Sequence, residues 1–310
     1  MKNSGCRKRH IINNRNTFDT QTTPPTHLIL SSMETLKSLL AINPNYIAIV
    51  LMVLFYSLEQ ILTTQFKFAK RPHHLFQSVL FQVTFYFVGI LWATVTVFTI
   101  SWLNQKGVGL FYLVHVPLWF KVVIGVLLYD FTSYWFHRAA HRIPLIWRLH
   151  RVHHMDTSMD ASSNFRNHPL DFVWFGISNI AAAAIFGLDL FGLSVYFLIA
   201  TPLFFMEHSN LKFPTWLDKT VGLVFTTPNL HKIHHEQDQY YTDSNYADIL
   251  ILWDKLFGSF KYKPVADIKL GLKEFDTPRQ QTFWYGMISP FVKNKSPEIQ
   301  SEVVTDINEV

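Results

Sequence analysis

The sequence predicts an all-α protein: an integral membrane helical bundle of about three spans plus a helical hairpin, with a histidine-rich helical cap on the cytoplasmic side. Three observations carry that prediction. The 310 residues are 49% hydrophobic, 16% aromatic and only 16% charged, whereas soluble domains are typically about 25% charged. Long apolar runs follow one another, and the one from Leu75 to Trp102 holds no charged residue. The chain also has 15 histidines, most of them in the polar stretches that follow the later runs. Its one cysteine, Cys6, excludes an intramolecular disulfide framework, an iron–sulfur cluster and a cysteine-ligated zinc site. The net charge of +5 does not point to nucleic acid, because the basic residues flank apolar runs as membrane anchors do.

Residues 1–32 carry Lys2, Arg7, Lys8, Arg9 and Arg15 and a Thr/Pro stretch, with no apolar signal-peptide core behind them. They read as a disordered polar tail, and either Met1 or Met33 suits as the start. The membrane domain then spans 33–263, and a polar C-terminal tail, 264–310, closes the chain. Within the domain, 43–62, 75–102 and 115–136 are each roughly long enough to cross a ~30 Å hydrocarbon core. The run 170–206 is broken at Gly187-Leu188-Asp189 and is too long for one helix. It predicts a hairpin whose arms enter and leave on one side, with Pro202 kinking the second arm. The loop 63–74 holds Lys67, Lys70 and Arg71, while 103–114 holds only Lys106. The excess of positive charge places the first loop, and with it everything from His137 onward, in the cytoplasm.

His137 and His141 stand four residues apart. His150, His153 and His154 follow the spacing i, i+3, i+4, and His231, His234 and His235 repeat it. On a helix such residues lie one turn apart on one face, so each cluster is expected to aim its rings at one point. Pro144 suits the first turn of a helix reaching His154, and Thr227-Pro228 suits an N-cap and first turn before His231. Composition alone produces one such triplet roughly once in thirty chains of this length; two of them are a specific signal. The hairpin brings His168 and His208 to the same side as further candidate ligands, with a structural hydrogen-bonding role the alternative for His168. His10, His27, His73, His74 and His115 stand outside the clusters, His73 and His74 as interfacial residues of a basic loop. Asp130, Tyr134 and His137 share one helical face, which makes Asp130 a candidate to accept the free N–H of a ligand histidine. Asn229 either orients a ligand or caps its helix, and Glu207 reads as a solvated or paired charge.

Eight to ten imidazoles exceed the three or four ligands of one zinc ion, so the count asks for two metal ions. The zinc-peptidase pattern HExxH is absent, and no cluster contains a carboxylate. Neutral nitrogen donors next to an apolar, aromatic membrane interior suit O₂-dependent oxidation of an unactivated C–H bond in a lipid. A zinc-dependent membrane hydrolase stays open as an alternative. So does a haem-binding electron-transfer protein, although tight triplets beyond the helix ends suit haem poorly.

Asp130-x-x-x-Tyr134-Trp135-x-His137-Arg138-x-x-His141 and Leu145-x-Trp147-Arg148-x-His150-x-Val152-His153-His154 resemble the fatty acid hydroxylase/sterol desaturase superfamily. So do Asn167-His168-Pro169, His208-Ser209-Asn210, Thr227-Pro228-x-x-His231-x-x-His234-His235, Asn245-Tyr246 and Trp253-Asp254-x-x-Phe257-Gly258. The resemblance runs from about 115 to 262. It implies a membrane-bound oxidoreductase that holds two iron ions on histidines, uses O₂ and hydroxylates or desaturates a sterol, fatty acyl or related lipid. No fused haem domain is apparent, so the resemblance also implies a separate electron donor of cytochrome-b or ferredoxin type.

Overall fold

The structure is a computed structural model that describes residues 44–67 and 71–292. The tail expected at 1–32, and the end of the tail expected at 264–310 (293–310), lie outside the described residues. Six long helices build the molecule: α1 (Pro44–Ile61), α2 (Arg71–Gln105), α3 (Leu118–Arg142), α4 (Pro144–His154), α5 (Pro169–Phe186) and α6 (Leu190–His208). Five short ones follow: α7 (Trp216–Thr220), α8 (Pro228–His234), α9 (Gln239–Thr242), α10 (Leu252–Leu256) and α11 (Phe283–Ile288). No strand forms among the described residues; pairing is limited to the isolated bridges Thr64–Leu211 and Glu236–Leu270. The fold is an all-α membrane bundle.

Local chemistry sets the helix ends. The residue before a proline is pushed out of helical geometry, so α3 stops at Ile143 and Pro144 opens α4 at a sharp corner. Gly187, in the left-handed region at φ 75°, ends α5, and the Asp189 carboxylate accepts the Gly192 N–H to begin α6. That is the expected hairpin, and Pro202 lies inside its second arm. Thr227 caps α8 by accepting the Leu230 N–H, with Pro228 in the first turn, as the Thr-Pro pair predicts.

Three segments are long and apolar enough to cross a membrane: Arg71–Tyr112, Pro169–Phe186 and Leu190–His208. Asn45–Ile61 is apolar but shorter. The expected span at 115–136 is not among them. It forms α3, whose Asp130, Thr132, Ser133, His137 and His141 are all buried. This helix turns a polar face into the bundle, where α4, α5 and α6 pack around it. The apolar core joins α2, α3, α5 and α6 through Ile100, Leu103, Tyr129, Ala182, Leu193 and Tyr196.

The bundle has two distinct ends. At one, Asn104 donates to the Leu188 carbonyl at 3.0 Å and Lys121 pairs with Asp189 at 3.2 Å. Gly109, at φ 110°, is pressed so closely on the Gly187 backbone that no Cβ fits between them. At the other end, the loop after α1 is tied to the chain just after α6: the Asn210 side chain accepts the Phe66 N–H and donates to the Phe66 carbonyl. The histidine clusters lie at this second end. Residues 264–292, expected as part of a polar tail, are folded there. Leu272, Phe275 and Phe283 pack with Phe81 of α2 and with Val152 and Met155 on and beside α4.

Candidate metal centre

Successive residues of a helix are about 100° apart, so i and i+4 differ by only about 40° while i+3 and i+4 diverge by about 100°. The triplets obey this and therefore do not each aim at one point, as their spacing alone had suggested. His150 and His154 turn one way and His153 the other; His231 and His235 turn one way and His234 the other. Two groups result. His137, His141, His150, His154 and His234 form the first, and His153, His208, His231 and His235 the second, with ligand atoms within 4.8 Å of one another in each. Each triplet sends its outer pair to one group and its middle residue to the other, which locks α4 and α8 together across both. The groups touch where His154 and His235 stack, ring centroids 4.5 Å apart.

Within the first group the Nε2 atom of His137 lies 3.1 Å from those of both His150 and His234. In the second, His208 Nε2 lies 2.9 Å from His153 Nε2 and 3.1 Å from His231 Nε2. The opposite nitrogens explain why these contacts need a cation. His137 Nδ1 donates to the Tyr246 carbonyl at 2.7 Å, His234 Nδ1 to the Ser244 carbonyl at 2.6 Å, and His150 Nδ1 to Asp171 at 3.0 Å. Each of those rings therefore presents a bare lone pair at Nε2, and the three lone pairs converge in a buried space. His208 is fixed in the same tautomer by the Phe204 carbonyl at 2.7 Å. His141 is turned likewise by Asp243 at 3.3 Å, and its buried Nε2 has no hydrogen-bond partner.

Lone pairs facing one another at 3.1 Å repel unless a positive centre lies between them, so metal ions fit both groups. Two nitrogens bound to one ion at about 2.1 Å and at right angles stand about 3.0 Å apart, close to the spacing seen. Burial, reinforced by the neighbouring rings, holds His153, His154, His231 and His235 well below the ordinary imidazole value and brings His234 down to about 3. They are therefore neutral near pH 7, the form that binds metal. Aromatic rings close the surroundings: Trp147 lies 4.8 Å from His141, and Phe175 lies 5.7 Å from His137 and 5.6 Å from His150.

Several expected residues have other work. His168 stands outside both groups; its Nδ1 accepts the Leu170 N–H at 3.2 Å and caps α5. Asp130 makes no hydrogen bond to a histidine among the described residues. It accepts from the Ile249 and Leu250 N–H groups and from the Trp253 indole at 2.8–3.1 Å, clamping that segment to α3. Asn229 neither orients a ligand nor caps α8, but donates to Asp218 at 3.0 Å. Glu207 is not solvated: it is fully buried, its oxygens have no hydrogen-bond partner among the described residues, and one lies 3.9 Å from His231 Nδ1. His74 is not interfacial either. It is buried between Asp156, at 2.9 Å, and Asp160, at 3.2 Å.

Carboxylates do touch the site, but they are Asp171 and Asp243 rather than the expected Asp130. Asp171 and Asp243 were missed because they are distant in sequence from His150 and His141. The only local signal was Asp171 in the first turn after a proline, where a helix favours an acid.

Residues 122–259 match the family model described as fatty acid hydroxylase. Human alkylglycerol monooxygenase is 31% identical over 154 residues, covering 46% of this chain and 30% of that protein. An ornithine lipid hydroxylase of Rhizobium tropici is 32% identical over 153 residues, covering 48% of this chain and 44% of that protein. A very-long-chain aldehyde decarbonylase of Oryza sativa subsp. indica is 30% identical over 166 residues, covering 52% of this chain and 61% of that protein. These matches thus span between 30% and 61% of the relatives' lengths. No solved structure matches. The matched region runs from α3 to just past α10 and contains every histidine of both groups, so this stretch is a fatty acid hydroxylase domain.

Proposed function

We propose that this protein is an O₂-dependent lipid hydroxylase of the membrane that holds two iron ions, one in each histidine group. The convergence of Nε2 lone pairs whose opposite nitrogens already donate is the observation that carries the reading. His137, His141, His150, His154 and His234 would hold one ion, and His153, His208, His231 and His235 the other. Five imidazoles in one group exceed the four ligands of a closed tetrahedral zinc site and suit a metal of higher coordination number. Bound iron would supply the binding and reduction of O₂. Hydroxylation puts one oxygen atom of O₂ into a C–H bond and the other into water, consuming two electrons and two protons. The electrons come from a separate redox protein.

The chain's own residues do the positioning. Asp171, Asp243 and the carbonyls of Phe204, Ser244 and Tyr246 set the ring tautomers and orientations. The aromatic rings over the first group keep bulk water from the reacting carbon. Two of the relatives cited carry names for oxygen insertion into lipids, which favours hydroxylation over desaturation here. Lys67, Arg71, Arg138, Arg142 and Arg148 lie at the histidine end, whereas the opposite loop carries only Lys106. The site therefore faces the cytoplasm.

The test is metal content together with turnover. Protein made with iron available should contain about two irons per chain, and should incorporate ¹⁸O from labelled O₂ into lipid only with reductant. One zinc per chain with O₂-independent turnover would make it a hydrolase instead.

A further inference from the structure

Asp248 is a carboxylate that the histidine site does not use. Its neighbours are buried: Ala247 is 1% exposed, Ile249 6%, Ser133 7% and Tyr196 2%. Asp248 itself is only half-buried. Burial pushes its carboxyl up, and the part of Asp248 left uncovered sits among those buried neighbours. Oδ2 is held firmly, since Ser133 Oγ and Tyr196 OH, from α3 and α6, both donate to it. No hydrogen bond from the described residues reaches Oδ1. A carboxylate with one oxygen anchored by two hydroxyls and the other open is a preorganised acceptor that lacks its donor.

Its place relative to the metal centre follows from α3. Ser133 precedes His137 by four residues, so the two side chains share a face about 6 Å apart along the axis. The displacement is toward the hairpin end, the direction in which the bundle enters the membrane. The chain from Tyr246 to Asp248 links the two features, because the Tyr246 carbonyl orients His137. An ionisable group at such depth is costly to keep; Asp130 is compensated by three donors, whereas Oδ1 of Asp248 has none from the described residues.

We propose that Asp248 is the polar anchor of the lipid-binding space, its Oδ1 accepting a hydrogen bond from a hydroxyl or ammonium group on the lipid about one helical turn from the metal centre. This rests on the lipid-hydroxylase reading above. It adds that the substrate class carries a hydrogen-bond donor near the carbon to be oxidised, and that Ser133 and Tyr196 are the positioning residues of the anchor.

The test uses the full iron-loaded chain and measures lipid retention by native mass spectrometry, with iron content and reductant-dependent O₂ consumption in parallel. The probes are hexadecanol against its methyl ether, and hexadecylammonium against hexadecyltrimethylammonium, which keeps the charge and loses the donor. Wild type should retain at least one donor-bearing lipid about tenfold or more over its capped partner, since a site built around a substrate hydrogen bond discriminates against the analogue lacking it. Asp248→Ala should equalise the pair with iron unchanged. Asp248→Asn keeps the size, but with Ser133 and Tyr196 donating to the anchored oxygen its NH₂ takes the open position, so it should lose the preference for both donor-bearing lipids with iron unchanged. The proposal is overturned if wild type does not discriminate, if Asp248→Ala still discriminates, or if that variant loses iron along with its preference. Retention is read without turnover, so absence of iron or O₂ consumption in wild type would sink the hydroxylase reading separately.

Discussion

The contrast between His234 and His168 shows which single side chains matter and why. His234 is fully buried, donates through Nδ1 to the Ser244 carbonyl and presents Nε2 to His137 at 3.1 Å. His234→Ala should remove at least one iron and nearly all lipid turnover. His168→Ala removes a helix cap, worth about 0.5–2 kcal/mol, and a hydrogen bond to the Met287 backbone, and should lower stability with the iron retained. Iron stoichiometry and thermal unfolding of the two variants measure the difference; iron loss in His168→Ala would put that residue back among the ligands. The spacing in the two triplets made most of the gathered histidines legible, because helical geometry turns a sequence interval into a direction. What the spacing also contained, and a one-face reading missed, is that adjacent residues such as His153 and His154 must diverge and so define two groups. The partners of the rings were not legible. Asp171 and Asp243 reach His150 and His141 across 21 and 102 residues of chain, and nothing local ties either to a histidine.

At the scale of elements, punctuation was readable and polarity was misleading. Thr227-Pro228 and Pro144 announced the starts of the two helices that carry the triplets, and Gly187-Leu188-Asp189 announced the hairpin turn. α3 looked like a span because its polar residues are sparse, yet they fall three and four apart and collect on one buried face. Residues 264–292 looked like a tail for the opposite reason. Their apolar side chains are scattered through short turns with no helical period, so no pattern distinguishes them from a polar coil. Packing decides otherwise: Leu272, Phe275 and Phe283 complete the cluster that backs α4. Arg151 reaches from the same helix to the Ser289 carbonyl at 2.6 Å. A chain ending at Lys263 should therefore unfold at a clearly lower temperature and lose iron, because each large side chain no longer buried forfeits about 1.5–3 kcal/mol. An unchanged melting temperature and iron content would show that the segment only rests on the domain.

At the scale of the whole molecule, the two ends of the bundle must face opposite sides of a membrane. α2 has 35 residues, which at about 1.5 Å each gives roughly 52 Å, longer than a ~30 Å hydrocarbon core. The excess lies at the histidine end, where His74, Gln77 and Ser78 are buried in polar surroundings rather than presented to lipid. The other end of α2 meets the hairpin turn through Asn104 and Leu188. These ties place the loop after α1, the histidine groups and residues 264–292 on one side, and the loop after α2 with the turn before α6 on the other. Basic residues crowd the first side, the basis for the cytoplasmic orientation proposed above. Single cysteines at Gln105 and Glu274, both exposed, introduced with Cys6 replaced by serine, test this directly. In intact cells a membrane-impermeant thiol reagent should label the cysteine at 105, and the one at 274 only after permeabilisation. The reverse pattern would invert the orientation while leaving the bundle intact. Labelling of both in intact cells would mean that the chain does not separate its two ends across the membrane, and the histidine end would then need another route to a cytoplasmic electron donor.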